Sequence, residues 1–297
     1  MNQKSRIGIY CNPKAQPPLE MLNQIAQRVK LHGGTLILYY PISEKILELG
    51  ADVIWENTFR NGLELAQLVD VLYSVGGDGT FLGTVPFVVE GQIPVLGFNS
   101  GRLGFLANVA EEHINVAIDA WFNLDYSIIE RSLIAVKRPI IDGVNNQLFA
   151  LNDVTIRRTD SANMLSFNVK IDELFLNNYW ADGIIVATAT GSTAYSLSCG
   201  GPILAPNTPA MIITPIASHN LTVRPLVISD QSIVKISVSG RSCHYSLSVD
   251  SASYKIPTNE IIILEKSKKS IQAVVLNNHS FYDTIREKLS WGFDKRN

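Results

Sequence analysis

Residues 71–80 read Val-Leu-Tyr-Ser-Val-Gly-Gly-Asp-Gly-Thr, a buried-strand pattern that runs straight into a glycine-rich turn. A strand ending in such a turn, with an apolar segment following from Phe81, is the repeating piece of a parallel sheet with crossover helices. Working outward from it, the first 125 residues alternate in period. Ile7–Tyr10, Thr35–Tyr40 and Ile93–Phe98 are short apolar runs. Residues 18–31 place Leu19, Leu22, Ile25 and Val29 near helical spacing ahead of Gly33-Gly34. Asn61 with Glu64 makes a loose capping box for a helix through Leu68, and Glu111–Phe122 is helical again. The alternation predicts a doubly wound α/β domain over residues 1–125.

After about Asp125 the pattern changes. Short runs rich in β-branched residues fall at 132–136, 154–157, 165–171, 184–188, 226–229, 233–238, 245–249, 261–264 and 271–275, several separated by turn residues such as Asp142-Gly143, Asn145-Asn146 and Asn177-Asn178. This predicts a sandwich-like β-domain over 126–275, followed by a helical tail, 276–297, that packs on the first domain. A cleft between two such domains is a favoured ligand site.

The 297 residues are 46% hydrophobic and 18% charged, which excludes a disordered chain. Lys plus Arg is 25 against 27 acidic residues, and this near-balance argues against a nucleic-acid partner. Cys11, Cys199 and Cys243 are widely spaced and form neither a disulfide framework nor a zinc site. Residues 183–223 carry no Asp, Glu, Lys or Arg, but Pro202, Pro206, Pro209 and Pro215 with many Gly, Ser and Thr argue against a membrane span. The first residues have no long apolar segment, so a cytoplasmic protein is expected.

Three stretches carry chemistry. In Gly76-Gly77-Asp78-Gly79-Thr80 the glycines allow backbone N–H groups to approach phosphate oxygens closely. Asp78 is the odd member: a carboxylate among phosphates needs a purpose, such as accepting a proton from an attacking hydroxyl or holding Mg²⁺, unless it is simply a turn or N-cap residue. Asn152-Asp153 offers donors and acceptors that suit the hydroxyls of a ribose, or else is a plain turn. In 182–203, Thr190, Ser192, Thr193, Ser196 and Ser198 surround Gly191, with Tyr195 as an aromatic face for a base. Arg102 and Arg224 are candidates for countering phosphate charge, against the alternative of surface or structural arginines.

These stretches, with GFNSGRLGFLA (97–107) and HNLTVRPLVI (219–228), come in an order that resembles the NAD kinase family over roughly residues 70–290. The resemblance implies an N-terminal α/β domain, a C-terminal β-domain and NAD held between them. It implies transfer of the γ-phosphoryl of ATP, or in some members of polyphosphate, to the 2′-hydroxyl of the adenosine ribose of NAD, with Mg²⁺ or another divalent ion delivered with ATP. By the family pattern Asp78 is the proton acceptor and Gly79 lies beside it, while Gly76, Gly77 and Arg102 face phosphate. Asn152 and Asp153 stand at the family's Asn-Glu ribose pair, here with the shorter acid. Asp182, Thr193, Ala194, Tyr195, Ser196, Leu197 and Ser198 match positions lining the NAD pocket. Asn163, Trp180 and Ala252 depart from the His, Arg and Gln that related bacterial members carry, and weaken the site's edge rather than its chemistry. Family members are homo-oligomers, so a homodimer or homotetramer joined through the uncharged part of the β-domain is expected. A lipid kinase of the diacylglycerol type shares GGDGT but would want an acyl channel in place of the polar 190–198 segment. A dinucleotide sensor would gain nothing from Asp78.

Overall fold

Strand β1 (Arg6–Tyr10) opens a run of parallel pairings whose order reverses once, and that reversal fixes where a ligand can bind. The computed structural model describes residues 5–141, 147–159, 164–241, 243–277 and 280–292. The chain divides into two compact units, 1–130 with 271–297, and 131–270.

In the first unit β1 is followed by α1 (Leu19–Leu31), β2 (Thr35–Tyr39), α2 (Tyr40–Glu48), β3 (Asn57–Phe59), α3 (Gly62–Leu68), β4 (Val71–Gly76), α4 (Asp78–Leu82), α5 (Val85–Val88), β5 (Val95–Asn99) and α6 (Ile114–Phe122). Helix α1 buries Leu22, Ile25 and Val29 of the stripe that the sequence spacing predicts, with Met21 buried and Leu19 only partly so, and it stops where Gly33 takes a positive φ. The Asn61 side chain accepts from the Glu64 N–H at the start of α3. The strands pair in parallel in the order β5–β4–β1–β2–β3, so the chain first winds to one side of β1 and then returns to the other. The turns leaving β1 and β4 therefore flank the point where direction reverses, the favoured ligand position of an open α/β sheet. The doubly wound reading holds.

The second unit contains β6 (Tyr126–Arg138) from Arg131 onward, β7 (Leu148–Ala150), β8 (Asp153–Arg158), β9 (Leu165–Ile171), β10 (Leu174–Ala181), β11 (Gly183–Thr188), α7 (Tyr195–Ser198), β12 (Ala210–Ile216), β13 (Leu226–Ser229), β14 (Val234–Ser239), β15 (His244–Val249), β16 (Ala252–Pro257) and the first part of β17 (Ile261–Leu276). Six strands form an antiparallel sheet in the order β13–β12–β11–β8–β15–β16. The strands β10–β9–β14–β17 form a second antiparallel array. Val154, Ile184 and Leu247 from the first and Phe167, Ile236 and Leu264 from the second share one core, as in a sandwich.

The chain then re-enters the first unit. Ala273 of β17 pairs in parallel beside Val95, and α8 (Phe281–Leu289) follows, with a reciprocal Ser280–Asp283 capping box at its start. Among the described residues no helix is long and apolar enough to cross a membrane.

Candidate active site

In the first unit, β4 ends at Gly76, whose φ is +154° and where a Cβ would lie 2.3 Å from Thr80 Oγ1, so a side chain is doubly excluded. Gly77 and Gly79 are different: a Cβ on either would meet nothing within 4 Å, so their backbone faces open space. Asp78 between them is the first residue of α4.

The Asp78 carboxylate is turned onto the 97–107 segment. Oδ2 accepts from the Phe105 N–H at 2.9 Å, and Oδ1 accepts from Leu106 at 2.9 Å and Ala107 at 3.0 Å. Lys288 Nζ, from α8, adds a fourth donor to Oδ2 at 3.3 Å. Gly104 is required by this approach, because a Cβ there would stand 2.0 Å from Asp78 Oδ1. Asn99, buried at the end of β5, holds the other side of the segment: its amide donates to the Arg102 and Ala107 carbonyls, and its Oδ1 accepts from Gly101. Two polar side chains, Asn99 and Asp78, thus shape the 97–107 segment, and its sequence alone does not announce either role. Arg102 is exposed. The turn after β1 holds exposed Asn12 and Lys14, with Asn12 Oδ1 accepting from the Lys14 N–H, and sequence reasoning passed over both.

A cleft of about 520 Å³ on the same unit is lined by Asn99, Leu103, Glu111, Glu112, His113 and Glu287 among others, and by neither Asp78 nor the open glycines. Its three carboxylates would repel a triphosphate.

In the second unit Asn152 and Asp153 enter β8. Three successive backbone N–H groups, of Leu151, Asn152 and Asp153, donate to the Asp250 carboxylate at 2.8–3.1 Å. Burial pushes the Asp250 carboxyl up to about 6 against the lowering effect of those three donors. Asp153 is itself buried, its carboxylate accepting from Thr155 Oγ1 at 2.8 Å, and burial raises its pKa. Asn152 is half-buried, and its backbone carbonyl accepts from the Thr188 N–H. A Cβ on Gly191 would lie 2.0 Å from that carbonyl oxygen, so the glycine brings the 190–193 turn against the Asn152 backbone.

The hydroxyl-rich stretch proves to be partly internal scaffolding. Ser196 is buried with its hydroxyl 2.8 Å from Thr214 Oγ1, and Ser192 Oγ bonds the Leu204 backbone. Thr193 Oγ1 donates to the Thr190 carbonyl. Ala194 and Leu197 are half-buried, and Tyr195 and Ser198 are exposed. Thr190 Oγ1 is buried with no hydrogen-bond partner among the described residues. Asp182 pairs with Arg158 at 3.2 Å. Arg224 spends its guanidinium on the Leu221 and Val223 carbonyls, the structural alternative for that residue. Trp180 is 58% exposed and Ala252 is exposed, while Asn163 lies outside the described residues. Among the described residues no three His, Cys, Asp or Glu side chains converge on a metal position.

Residues 7–126 match the family described as ATP-NAD kinase N-terminal domain, and residues 151–276 the ATP-NAD kinase C-terminal domain. The chain is 42% identical over 241 residues to an NAD kinase of Flavobacterium johnsoniae, covering 81% of this chain and 82% of that one. It is 40% identical over 242 residues to an NAD kinase of Cytophaga hutchinsonii, with the same coverage. Among solved structures, yeast NADH kinase complexed with NADH aligns at TM-score 0.85 and 24% identity over 99% of this chain and 89% of that one. An Archaeoglobus fulgidus NAD kinase in complex with ATP aligns at 0.69 and 23% over 96% and 98%, and both likenesses speak for the fold. With both of its domains matched in order, the chain belongs to the NAD kinase family.

Proposed function

We infer that the chain phosphorylates the 2′-hydroxyl of the adenosine ribose of NAD with ATP, giving NADP. The observation that carries the assignment of roles is a carboxylate, Asp78, between two open glycines at the reversal point of a parallel sheet. Phosphoryl transfer asks little covalent work of a protein; it needs the hydroxyl in line, phosphate charge neutralised and a base within reach of the proton. Asp78 is the proton acceptor. The backbone at Gly76, Gly77 and Gly79 receives phosphate oxygens, and Arg102 is free to swing toward them. The dinucleotide is held by Asn152, Asp153, Asp182 and the 193–198 turn, where Tyr195 presents an exposed ring. Ser196 supports that turn from below through Thr214.

Mg²⁺, or another divalent ion, is assigned to the phosphates of ATP, which neutralise a hard cation without a protein cage. Three unpaired cysteines suit a reducing compartment, and we assign the protein to the cytoplasm. A coupled NADP-formation assay with ATP and Mg²⁺ tests the whole reading. NADP formation supports it, and a purified, folded chain that makes none overturns it; a parallel reaction with polyphosphate defines the donor range.

The ribose assignment makes a separate prediction. Asn152→Ala and Asp153→Ala lower kcat/KM for NAD by the equivalent of about 1–3 kcal/mol, the loss of buried hydrogen bonds. Unchanged NAD kinetics in both variants would return the pair to a plain turn.

The homo-oligomer rests on a narrower basis than the uncharged stretch suggested, because 184–187 and 211–213 are core strands. What remains outside is Leu221 at 85% exposure, with Leu226 and Val227 on the edge strand β13. An apolar sheet edge calls for a cover, and a second copy of the chain would supply it. Light scattering at micromolar concentration is expected to give a multiple of 32.7 kDa; a monomer mass, unchanged by NAD, removes the proposal.

A further inference from the structure

We propose that Lys288, on the tail helix α8, is a catalytic cation of the transfer step. It contacts Asp78 Oδ2 and passes to the γ-phosphoryl group of ATP when the donor binds, opening that oxygen to the attacking hydroxyl. The inference rests on Asp78 being the proton acceptor.

It begins with the valence of one carboxylate. An ionised carboxylate offers about four lone-pair positions. In Asp78 four donors meet them: Leu106 and Ala107 on Oδ1, Phe105 and Lys288 on Oδ2. A carboxylate so engaged has no position left for a substrate proton, so one donor must leave before the reaction. Three are backbone groups of a segment that is also tied by Gly104 to Ala107 and by the Asn99 amide, and withdrawing any of them unravels the turn. Lys288 is the exception. Its contact is the longest of the four at 3.3 Å, its side chain is one-third exposed, and its four-carbon stem swings without moving the backbone.

The destination follows from the chemistry. The hydroxyl oxygen bonds to the γ-phosphorus while the bond from that phosphorus to the β–γ bridging oxygen breaks; the proton goes to Asp78 Oδ2, and ADP leaves with the electron pair. A hydroxyl within hydrogen-bond reach of Oδ2 puts the transferring phosphoryl oxygens roughly 5 Å away, inside the arc of a lysine already in contact with that carboxylate. Charge on those oxygens is what a positioned cation stabilises.

The helix is built to present this residue. Its capping box fixes the first turn, Thr284 is buried, Phe281 meets Phe105 in a tilted pair with ring centres 6.2 Å apart, and Lys288 Nζ lies 4.7 Å from the centre of the Phe105 ring. The Phe105–Phe281 contact and buried Thr284 secure the helix without Lys288, so the ammonium group is left to exchange partners.

The test compares ATP and ADP, which differ only in the γ-phosphoryl group. Each is titrated, with Mg²⁺, into the wild type, Lys288→Met, Lys288→Gln and Lys288→Arg, alongside initial rates and melting temperatures. Gln keeps a donor for Asp78 without the charge, so it stands in should the Met variant fold poorly. Expected are about tenfold weaker ATP binding in the Met and Gln variants, unchanged ADP binding and NAD KM, a 10- to 100-fold fall in kcat, and recovery of most ATP affinity in the Arg variant. ATP affinity equal to wild type in the uncharged variants overturns the proposal. So does a joint loss of ATP, ADP and NAD binding with a lowered melting temperature, the mark of a lysine that merely pins the helix. An active Asp78→Asn enzyme would remove the base assignment and this inference together. An inactive Asp78→Asn beside a wild-type-like Lys288→Gln removes this inference alone.

Discussion

Asp78→Asn is expected to lower turnover by about 10²–10⁴-fold, the span usual for loss of a general base, with NAD still bound. The amide cannot take up the hydroxyl proton, and it also disturbs the segment it caps. Asp78 Oδ1 serves two backbone donors and Oδ2 serves Phe105 and Lys288, so an asparagine keeps its oxygen toward one pair and turns an N–H toward the other. That donor-against-donor contact costs on the order of 1 kcal/mol in stability at this partly exposed position. The measurement is therefore paired: NADP formation for kcat, and NAD titration with thermal melting for the fold. Near-wild-type turnover in a folded variant would end the proton-acceptor assignment. Lost turnover together with lost NAD binding would show that Asp78 acts by shaping residues 105–107.

The same residue shows how far the sequence could be read. The strand-to-glycine turn at 71–80 pointed to the ligand end of a parallel sheet, because local periodicity and glycine chemistry are both written in neighbouring residues. What Asp78 touches is not: its partners are 27–29 and 210 residues away, brought in by topology. Helix α2 was missed because its nine residues bury only Ile42, Ser43 and Ile46, too short a stripe to stand out. Strand β12 was hidden for the opposite reason. Ala210–Ile216 is apolar on both faces in a proline-bearing stretch, so an uncharged interior strand passed for an uncharged surface. Strand β17 was read as two runs, split by Glu265–Ser270, yet it is one strand with charged residues on its wetter positions. The hydroxyls of 190–198 look alike in the sequence, and only burial separates Ser192 and Ser196, whose hydroxyls bond inside the chain, from exposed Ser198.

Asp250 left no motif at all, and its removal is expected to have the largest effect on stability. It sits between β15 and β16 with φ at +49°, a conformation that Asp and Asn tolerate better than other side chains. Its carboxylate is the shared acceptor for the N–H groups of Leu151, Asn152 and Asp153, which fixes the backbone of the proposed ribose pair. Asp250→Ala leaves those donors unpaired and puts alanine in a left-handed backbone, costing about 3–6 kcal/mol. NAD kinetics should fall with stability, because Asn152 and Asp153 lose their template. Asp250→Asn is the milder probe: its oxygen can still serve Asn152 and Asp153, with one mismatch at Leu151. It also carries the pH signature. Burial raises the Asp250 carboxyl to about 6 in the folded chain, so between about pH 4 and 6 the folded state holds a proton that the unfolded state has released. Stability from this group is fully present below about pH 4 and falls as pH rises to about 6, by about 3 kcal/mol, then levels off. Asp119, drawn down to about 2 chiefly by its bond to Arg28, titrates below that window and does not blur it. Denaturant melts of wild type and Asp250→Asn at pH 4.5 and 7.5 should therefore differ in slope, the variant gaining on the wild type as pH rises. Parallel pH profiles, or an Asp250→Ala enzyme within about 1 kcal/mol of wild type, would show that the 151–153 backbone is held by the β8 and β11 pairing alone.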